Sequence, residues 1–393
     1  MKSKRKVIIF LGDGMADEPI AALNGKTPLQ AANTPAMDSI AAAGQSGTLL
    51  TLPEGFPTSS DVANMSVLGC DLASELCGRG PLEAASQGID LGPHDVCFRM
   101  NLVTVDDNGI MRDYSGGHVS QEEAAAAIDL LNSELSSDQI RFHCGVSYRN
   151  LLVLSGQMFN DKIHCDKPDD NHGNPFAAHL PYATDPSGEA TVEALLNIIN
   201  RAGEILAGRT ANRVWPWSGG RAGAIHSITN RFGISAAVIS AVDVISGLGR
   251  CMGMDVISVP GATGYIDTNY EGKADAAIEA IKTHDFVYLH VEAVDEVSHA
   301  QDLKLKLQAI EDFDSRLVAR VMAACGNEVT YAVLPDHPVP LSTGRHTRTP
   351  VPVAICGPDF APDNVALYSE IDAPAGSLGA MRGADLMNLL LGN

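Results

Sequence analysis

Basic residues are scarce in this chain of 393 residues, which has 27 lysines and arginines against 48 aspartates and glutamates and a formal net charge of -21. An acidic surface repels nucleic-acid phosphates and anionic lipid headgroups, so the composition argues against both as partners. No uncharged apolar run is long enough to span a bilayer. With hydrophobic residues at 45%, the chain is typical of a globular protein with about two domains.

Paired cysteine motifs are also missing, because the 8 cysteines are scattered and none forms a C-x-x-C pair. This usage is typical of a reducing compartment, and we expect a cytoplasmic protein. The basic start is followed by the apolar run Val7–Leu11, which is shorter than the apolar region of a signal peptide and leads into Gly12-Asp13-Gly14. We therefore interpret this run as a buried first strand.

Three common glycine-rich motifs are absent: the phosphate-binding P-loop, the G-x-S-x-G nucleophile elbow and a G-x-G-x-x-G turn after a strand. The sequence thus offers no support for nucleotide binding of the usual kinds. This absence favours chemistry carried out by side chains and metal ions.

Short runs rich in β-branched residues alternate with alanine-rich helical stretches, which predicts an α/β fold with a parallel sheet covered by helices. The predicted strands are Lys6–Leu11, Gly233–Ile239, Met254–Val259, Asp285–Val291, Val329–Leu334 and Pro352–Ile355. The predicted helices are Thr27–Ala43, Ala241–Gly249, Lys273–Lys282 and Leu303–Ala324.

The middle of the chain has a different residue pattern, with strand-like segments of alternating polarity and a long irregular stretch from Asp161 to Pro186. A connection of that length is either functional or part of a separate domain. We expect a smaller inserted α+β domain at residues 93–224, with residues 1–92 and 225–393 forming a discontinuous core domain.

Carboxylate and histidine side chains follow three of the predicted strands. Asp13 comes directly after the first strand, where open α/β sheets place ligands, although a turn aspartate would explain it alone. Asp295 and His299 are spaced to share one helix face, as metal ligands or as an exposed ion pair. Asp336-His337 and the later His346 suit nitrogen and oxygen coordination of a divalent transition ion better than calcium.

The run Pro57–Gly69 combines hydroxyl residues with an apolar helical segment. One interpretation is a helix N-terminus capped by Ser60 or Asp61. The other is a hydroxyl nucleophile, because a serine beside a metal ion at a helix N-terminus loses its proton more easily and its phosphoryl adduct is stabilised there.

In this order the motifs resemble those of the alkaline phosphatase superfamily, and within it most closely the cofactor-independent phosphoglycerate mutases of archaeal type. The resemblance covers nearly the whole chain and rests on Asp13–Asp17, Lys26–Ala32, Gly78–Ala84, Pro260–Tyr265 and Asp285–His299. It implies an alkaline-phosphatase-like sheet sandwiched by helices. It also implies an isomerase that interconverts 2- and 3-phosphoglycerate without 2,3-bisphosphoglycerate.

The same resemblance implies two divalent ions, which could be manganese, magnesium or zinc. One ion would be held by Asp13, Ser60, Asp336 and His337, and the other by Asp295, His299 and His346. Ser60 would accept the phosphoryl group from a small phosphorylated substrate, and the inserted domain would act as a lid that excludes water.

The sequence departs from the archaeal pattern around the nucleophile. Where those mutases tend to have P-G-S-D-T-A-H, this chain has Thr58-Ser59-Ser60-Asp61-Val62-Ala63-Asn64. Other segments resemble a bacterial branch proposed to act as a homoserine kinase. A homoserine kinase-like transferase and a metal-dependent phosphatase or phosphodiesterase therefore stay open as alternatives.

Cations near the family-like motifs are the candidates for substrate binding, because arginine forks suit phosphate and carboxylate groups. For each one, a solvated surface charge is the simpler explanation. Lys273 is the first choice, since it begins a predicted helix where a cation could meet a bound phosphate. The full predicted set of substrate contacts is Lys273, Arg149, Arg221, Arg79 and Asn64.

Overall fold

A computed structural model describes residues 5–223 and 225–392. Its strands are β1 Val7–Gly12, β2 Gln45–Leu50, β3 Asp95–Val105, β4 Met111–Asp113, β5 Ile140–Val146, β6 Arg149–Ser155, β7 Ile163–His164, β8 Tyr182–Ala183, β9 Arg213–Gly220, β10 Ala236–Ile239, β11 Asp255–Val256, β12 Phe286–Val291, β13 Thr330–Leu334, β14 Val351–Cys356 and β15 Gly379–Arg382. Its α-helices are α1 Pro28–Ala31, α2 Pro35–Ala43, α3 Ser60–Val67, α4 Leu72–Glu75, α5 Arg79–Ser86, α6 Gln121–Leu135, α7 Glu189–Ile205, α8 Ile228–Phe232, α9 Asp243–Cys251, α10 Tyr270–Thr283, α11 Ala293–His299, α12 Leu303–Asp312, α13 Ala319–Cys325 and α14 Asp385–Leu391.

The described residues form two structural units. The first unit contains the chain up to Leu76 and from His226 onward, and the second unit is Cys77–Ile225. The second unit begins before residue 93, where we expected the insertion to start, because α5 packs against β3. Gly80 of α5 lies so close to β3 that a Cβ there would sit 2.2 Å from the carbonyl oxygen of Cys97.

An eight-stranded sheet in the order β11-β10-β12-β1-β13-β14-β2-β15 forms the centre of the first unit. Strands β1, β12 and β13 are buried along their whole length, as expected for strands covered on both faces. The α/β prediction is confirmed, but the sheet is not wholly parallel, because β14 runs antiparallel to both β13 and β2. Strands β2 and β15 were not predicted.

Two predicted helices of the first unit differ from the observed ones. The predicted helix Thr27–Ala43 is two helices, α1 and α2, because Pro35 disfavours a helical conformation at Thr34 and lacks an amide donor. The predicted helix Leu303–Ala324 is continuous but contains a π-helical segment, Phe313–Val318, between α12 and α13. The predicted strand Met254–Val259 is reduced to the two residues of β11.

The second unit is built on an antiparallel sheet in which β3 pairs with β6 on one side and with β9 on the other. Helices α6 and α7 bury an apolar face against this sheet, which gives the unit its own hydrophobic core. The second unit thus combines helices with an antiparallel sheet. The long irregular stretch contains the short strands β7 and β8.

All eight cysteines are free thiols. Among the described residues, no helix combines the length and the apolar character that crossing a membrane requires.

Candidate metal centre and nucleophile

The candidate site lies in the first unit, at the carboxyl edge of three neighbouring strands. Strand β1 lies between β12 and β13 and is parallel to both, so the residues that follow these strands meet at one edge of the sheet. Asp13 follows β1, the α11 residues follow β12, and Asp336-His337 follow β13. The predicted ligands therefore converge because the strands that carry them are neighbours.

The first cluster consists of Asp13, Asp336 and His337, whose potential ligand atoms lie within 4.8 Å of one another. All three side chains are buried. His337 Nε2 lies 3.4 Å from Asp13 Oδ1 and 3.3 Å from Asp336 Oδ2. The group offers one nitrogen and several carboxylate oxygens to a common point.

Asp295, His299 and His346 form the second cluster, again within 4.8 Å of one another. Asp295 and His299 stand one turn apart on α11, and His299 Nε2 lies 3.2 Å from Asp295 Oδ2. His299 Nδ1 donates to the carbonyl oxygen of Gly344 at 2.8 Å, which leaves Nε2 free to act as a ligand. His346 Nε2 faces His299 Nε2 at 3.0 Å.

Gly14 allows the two clusters to approach each other. Its backbone has φ +64°, and a Cβ on this residue would lie 2.7 Å from the Cα atom of Asp295. A side chain at this position would thus collide with the backbone of α11 as well as strain its own.

Burial and mutual repulsion disturb the titration of the carboxyl groups. Burial, followed by the charges of Asp336 and Asp295, raises the pKa of Asp13 well above its ordinary value. Burial and the charge of Asp295 raise the pKa of Asp336 to about 7. Burial acts in the same direction on Asp295, but the neighbouring imidazoles of His299 and His346 outweigh it and lower that pKa. So many buried carboxyl groups side by side are unfavourable unless positive charge is added.

Unsatisfied atoms in both clusters fit bound cations. Asp13 Oδ1 and Asp295 Oδ1 are buried and have no hydrogen-bond partner among the described residues. The two facing imidazole nitrogens of His299 and His346 would be repulsive if both were unprotonated, and a shared cation removes that conflict. Mixed imidazole and carboxylate donors suit zinc or manganese.

Ser60 is the first residue of α3, and Ser59 is the residue preceding the helix. Ser59 therefore occupies the capping position, and neither Ser60 nor Asp61 caps the helix as predicted. The Ser59 side chain makes no capping hydrogen bond. Ser60 Oγ lies 3.2 Å from His337 Nε2, which brings the predicted nucleophile to the first cluster. Ser60 also stands at the N-terminal end of α3, which is the positive end of a helix dipole.

Asn64, one turn further along α3, is completely buried. Its amide nitrogen donates to Asp336 Oδ2 at 2.9 Å and to the carbonyl oxygen of Ser60 at 2.8 Å. Its oxygen accepts a hydrogen bond of 2.6 Å from the hydroxyl of Tyr288. The amide is therefore committed to protein partners, and a role for Asn64 in substrate binding stays a prediction that this placement does not favour.

His290 is a site residue that the sequence prediction missed. It is buried, and its Nε2 donates to Asp13 Oδ2 at 3.0 Å, because a carboxylate can only accept. Its Nδ1 then accepts from the Ser240 hydroxyl at 3.1 Å. Burial, with the charge of Lys273, lowers the pKa of His290 to about 3, so the ring is neutral near pH 7. A histidine and a tyrosine two residues apart in an otherwise apolar strand were the available signal.

Lys273 lies in a different setting from the one predicted. Its side chain is completely buried on α10, and its ammonium group donates to the carbonyl oxygen of His290 at 3.1 Å. Burial lowers its pKa to about 8, against the opposing effect of Glu292. Contact with a substrate phosphate stays a prediction.

The predicted arginines belong to the second unit. Arg149 is exposed and its guanidinium lies over the ring of Tyr148, at 5.0 Å from the centroid. The backbone amide of Arg79 donates to the Ser218 hydroxyl at 3.0 Å. Arg221 donates to the carbonyl oxygens of Phe159 and Pro93. Their contact with substrate stays a prediction.

The fold, the two clusters and the adjacent serine allow comparison with known proteins. The family model of the metalloenzyme superfamily matches residues 5–393. A 2,3-bisphosphoglycerate-independent phosphoglycerate mutase of Methanosarcina acetivorans is 47% identical, over 98% of this chain and 99% of its own. The chain belongs to this family of mutases within the metalloenzyme superfamily.

Two solved structures extend the likeness to the mutase fold. A protein from Pyrococcus horikoshii is 30% identical, with a TM-score of 0.83, over 98% of this chain and 96% of its own. The cofactor-independent phosphoglycerate mutase from Thermoplasma acidophilum is 28% identical, with a TM-score of 0.70, over the full length of both chains. The predicted family resemblance is confirmed, and membership of a metalloenzyme family implies that this mutase homologue uses divalent metal.

Proposed function

We propose that this protein interconverts 2-phosphoglycerate and 3-phosphoglycerate without 2,3-bisphosphoglycerate, through a phosphoserine formed on Ser60. Membership of the mutase family supports the overall reaction. The observation that supports the intermediate is the position of Ser60 Oγ, at the start of α3 and 3.2 Å from His337 Nε2. The product is an isomer of the substrate, so no second substrate is needed.

We further propose that the protein binds two divalent ions. One would be held by Asp13, Ser60, Asp336 and His337 and the other by Asp295, His299 and His346. Bound there, divalent ions would supply positive charge for the phosphoryl oxygens and lower the pKa of the serine hydroxyl. Manganese, magnesium and zinc are the candidates, and the paired donor clusters support this assignment.

The protein's own groups would act in two transfer steps. In the first, Ser60 Oγ forms a bond to phosphorus while the phosphorus–oxygen bond to glycerate breaks, and the serine proton is balanced by the proton gained on the released glycerate hydroxyl. In the second, the other glycerate hydroxyl attacks the phosphoserine and Ser60 regains a proton. The start of α3 favours the anionic phosphoserine through its amide dipoles.

A covering role for the second unit, substrate binding by its arginines and a cytoplasmic location are further proposals. The second unit would cover the reacting groups and keep water out, so that transfer outcompetes hydrolysis. Arg79, Arg149 and Arg221 of that unit would bind the substrate through their guanidinium groups. The free state of all eight cysteines supports the proposed cytoplasmic location.

The test is a side-by-side assay of the purified, manganese-loaded protein. With 3-phosphoglycerate, coupling to enolase should report steady formation of 2-phosphoglycerate, and release of inorganic phosphate should stay slow. Background turnover with 3-phosphoglycerate would overturn the proposal. Phosphohomoserine formed from ATP and homoserine would identify a homoserine kinase, and rapid phosphate release would identify a phosphatase.

A further inference from the structure

The amide of Asn64 has a hydrogen-bond partner on each side, and these partners fix which way it faces. The carbonyl oxygen of Ser60 can only accept, and so does Asp336 Oδ2 when the carboxylate is ionised, so the amide nitrogen faces them. The Tyr288 hydroxyl can then donate to the amide oxygen, at 2.6 Å. The opposite orientation would place three oxygens in conflict.

Tyr288 holds this orientation from the neighbouring strand β12. Its side chain is completely buried, so its hydroxyl has no access to water and needs a protein acceptor. The acceptor is Asn64 Oδ1. The charges of Asp336 and Asp13 act on the Tyr288 hydroxyl, and its hydrogen bond to Asn64 is the contact through which Tyr288 can orient Asp336.

Asn64 orients Asp336 together with two backbone amides. Asp336 Oδ1 accepts from Gly14 N at 3.1 Å and from His337 N at 2.8 Å, while Oδ2 accepts from the Asn64 amide. The plane of the carboxylate is thereby set from both ends. Outer partners of this kind hold a ligand in its binding geometry before the metal arrives.

We propose that Asn64, held by Tyr288, is a positioning residue that fixes Asp336 for metal binding and ties it to the turn of α3 that carries Ser60. This inference rests on the proposed function for the role of Ser60 and of the first cluster. It replaces the predicted contact between Asn64 and substrate with a contact to a metal ligand.

The experiment measures manganese binding by isothermal titration calorimetry, with the full chain stripped of metal. A His299→Ala background removes a ligand of the second cluster, so that the remaining manganese site reports on Asp336. In that background we compare Asn64→Ala, Tyr288→Phe and the double variant. Tyr331→Phe is the matched control, because Tyr331 is also a buried tyrosine whose hydroxyl bonds elsewhere, to the carbonyl oxygen of Gly326.

We expect Asn64→Ala to weaken manganese binding by about ten- to a hundredfold, the usual effect of losing an outer partner of a metal ligand. Tyr288→Phe should weaken it by a smaller factor, and it should add nothing in the Asn64→Ala background, because Tyr288 acts through Asn64. Tyr331→Phe should bind manganese like its parent. Tyr288→Phe removes one oxygen only, so it tests the inference even if Asn64→Ala fails to fold.

Three results would overturn the inference. Unchanged manganese affinity of Asn64→Ala in the His299→Ala background, together with a raised KM for 3-phosphoglycerate when Asn64→Ala is made in the otherwise wild-type protein, would make Asn64 a substrate contact. Equal losses in Tyr331→Phe would reduce the effect to general destabilisation, and additive losses in the double variant would remove the link through Asn64. A wild-type protein without mutase activity would overturn the proposed function alone, because manganese binding is measured independently of activity.

Discussion

The hydroxyl of Ser60 is the atom on which the proposed chemistry depends, and the preceding residue offers a matched test. Ser60→Ala should lower kcat by about 10⁴-fold or more, as expected when a nucleophile is removed. Ser59→Ala should keep most of the activity, because the Ser59 side chain makes no capping bond to α3. The enolase-coupled assay gives kcat, and circular dichroism checks the fold.

Activity retained in Ser60→Ala and lost in Ser59→Ala would move the nucleophile by one residue. Both variants should still bind manganese. Phosphoserine mapped by mass spectrometry after incubation with substrate would decide between the two positions without relying on rates.

Lys273 should make the stability of the protein depend on pH. Burial lowers its pKa to about 8 in the folded protein, against a value of 10.5 for an ordinary lysine. Between those values the unfolded chain holds a proton that the folded protein has lost, so the free energy of unfolding should rise with pH, by about 3 kcal/mol across the window. Below pH 8 both states are protonated and the slope should vanish.

The measurement is urea unfolding of metal-free protein at several pH values between 7 and 10.5. The quantity of interest is the difference between wild type and Lys273→Met, because other groups titrate in the same range and cancel. Lys304→Met, which removes an exposed lysine, controls for the loss of one charge. A difference that stays flat across the window would contradict the assigned shift.

The separation of residues along the chain explains which site residues could be predicted. Asp13, Asp336 and His337 were found because each follows a recognisable apolar strand. Two partners of Asn64, Asp336 and Tyr288, lie 272 and 224 residues away, and the contact between His290 and Asp13 spans 277 residues. No local sequence pattern predicts such contacts, since they depend on which strands become neighbours.

At the scale of elements, the turn that follows β1 depends on Gly14. Gly14→Ala should be more destabilising than Gly25→Ala, although both glycines have positive φ, +64° and +78°. A Cβ on Gly25 would meet no atom within 4 Å beyond its chain neighbours, so its replacement should cost about 1–2 kcal/mol for the backbone alone. Gly14→Ala adds a collision with Asp295, which should cost about 1–3 kcal/mol more.

Thermal unfolding of metal-free protein would measure the loss of stability in each variant, and manganese titration would measure the loss of metal affinity. Gly14→Ala should also weaken manganese binding, because the collision displaces Asp295 of the second cluster. Equal effects of the two substitutions on both measurements would show that the close approach to α11 does not matter.

The helices show where local patterns stop being informative. The break between α1 and α2 was missed although Pro35 marks it, because the apolar residues on either side continue one helical period. The start of α2 has no capping bond from Thr34. Asp314 on the π-helical segment instead accepts from the backbone amides of Ala36 and Met37, at 3.2 and 2.7 Å. A cap supplied by a distant helix cannot be predicted from the sequence around the start of α2.

The sheet shows the same limit on a larger scale. Five strands were predicted close to their observed positions because they are continuous apolar runs. Strand β2 contains Gln45, Ser46 and Gly47, and β15 is exposed at three of its four residues, so neither has a strong pattern. Both are strands because they extend an existing edge through backbone pairing.

For the whole molecule, a net charge of -21 would repel an anionic substrate if the charge were spread evenly over the surface. The distribution of charge changes that conclusion. Three buried aspartates face one another in the two clusters, and two of them, Asp13 and Asp295, each have an oxygen without a hydrogen-bond partner among the described residues. Divalent ions bound there would turn an unfavourable region of the first unit into a locally positive one.

Metal should therefore stabilise the first unit in particular. Saturation with manganese at a hundred times the dissociation constant should stabilise the folded protein by about 2.7 kcal/mol for each of the two proposed sites. By hydrogen exchange, protection should increase locally in the segments 13–17, 292–299 and 335–346, which carry the ligands. Strands β3, β6 and β9 of the second unit should keep their local exchange rates, because the described residues of that unit contain no comparable cluster. Asp295→Asn should lose most of the protection at 292–299, and protection appearing instead in the acidic stretch 161–170 would place the metal at a different site.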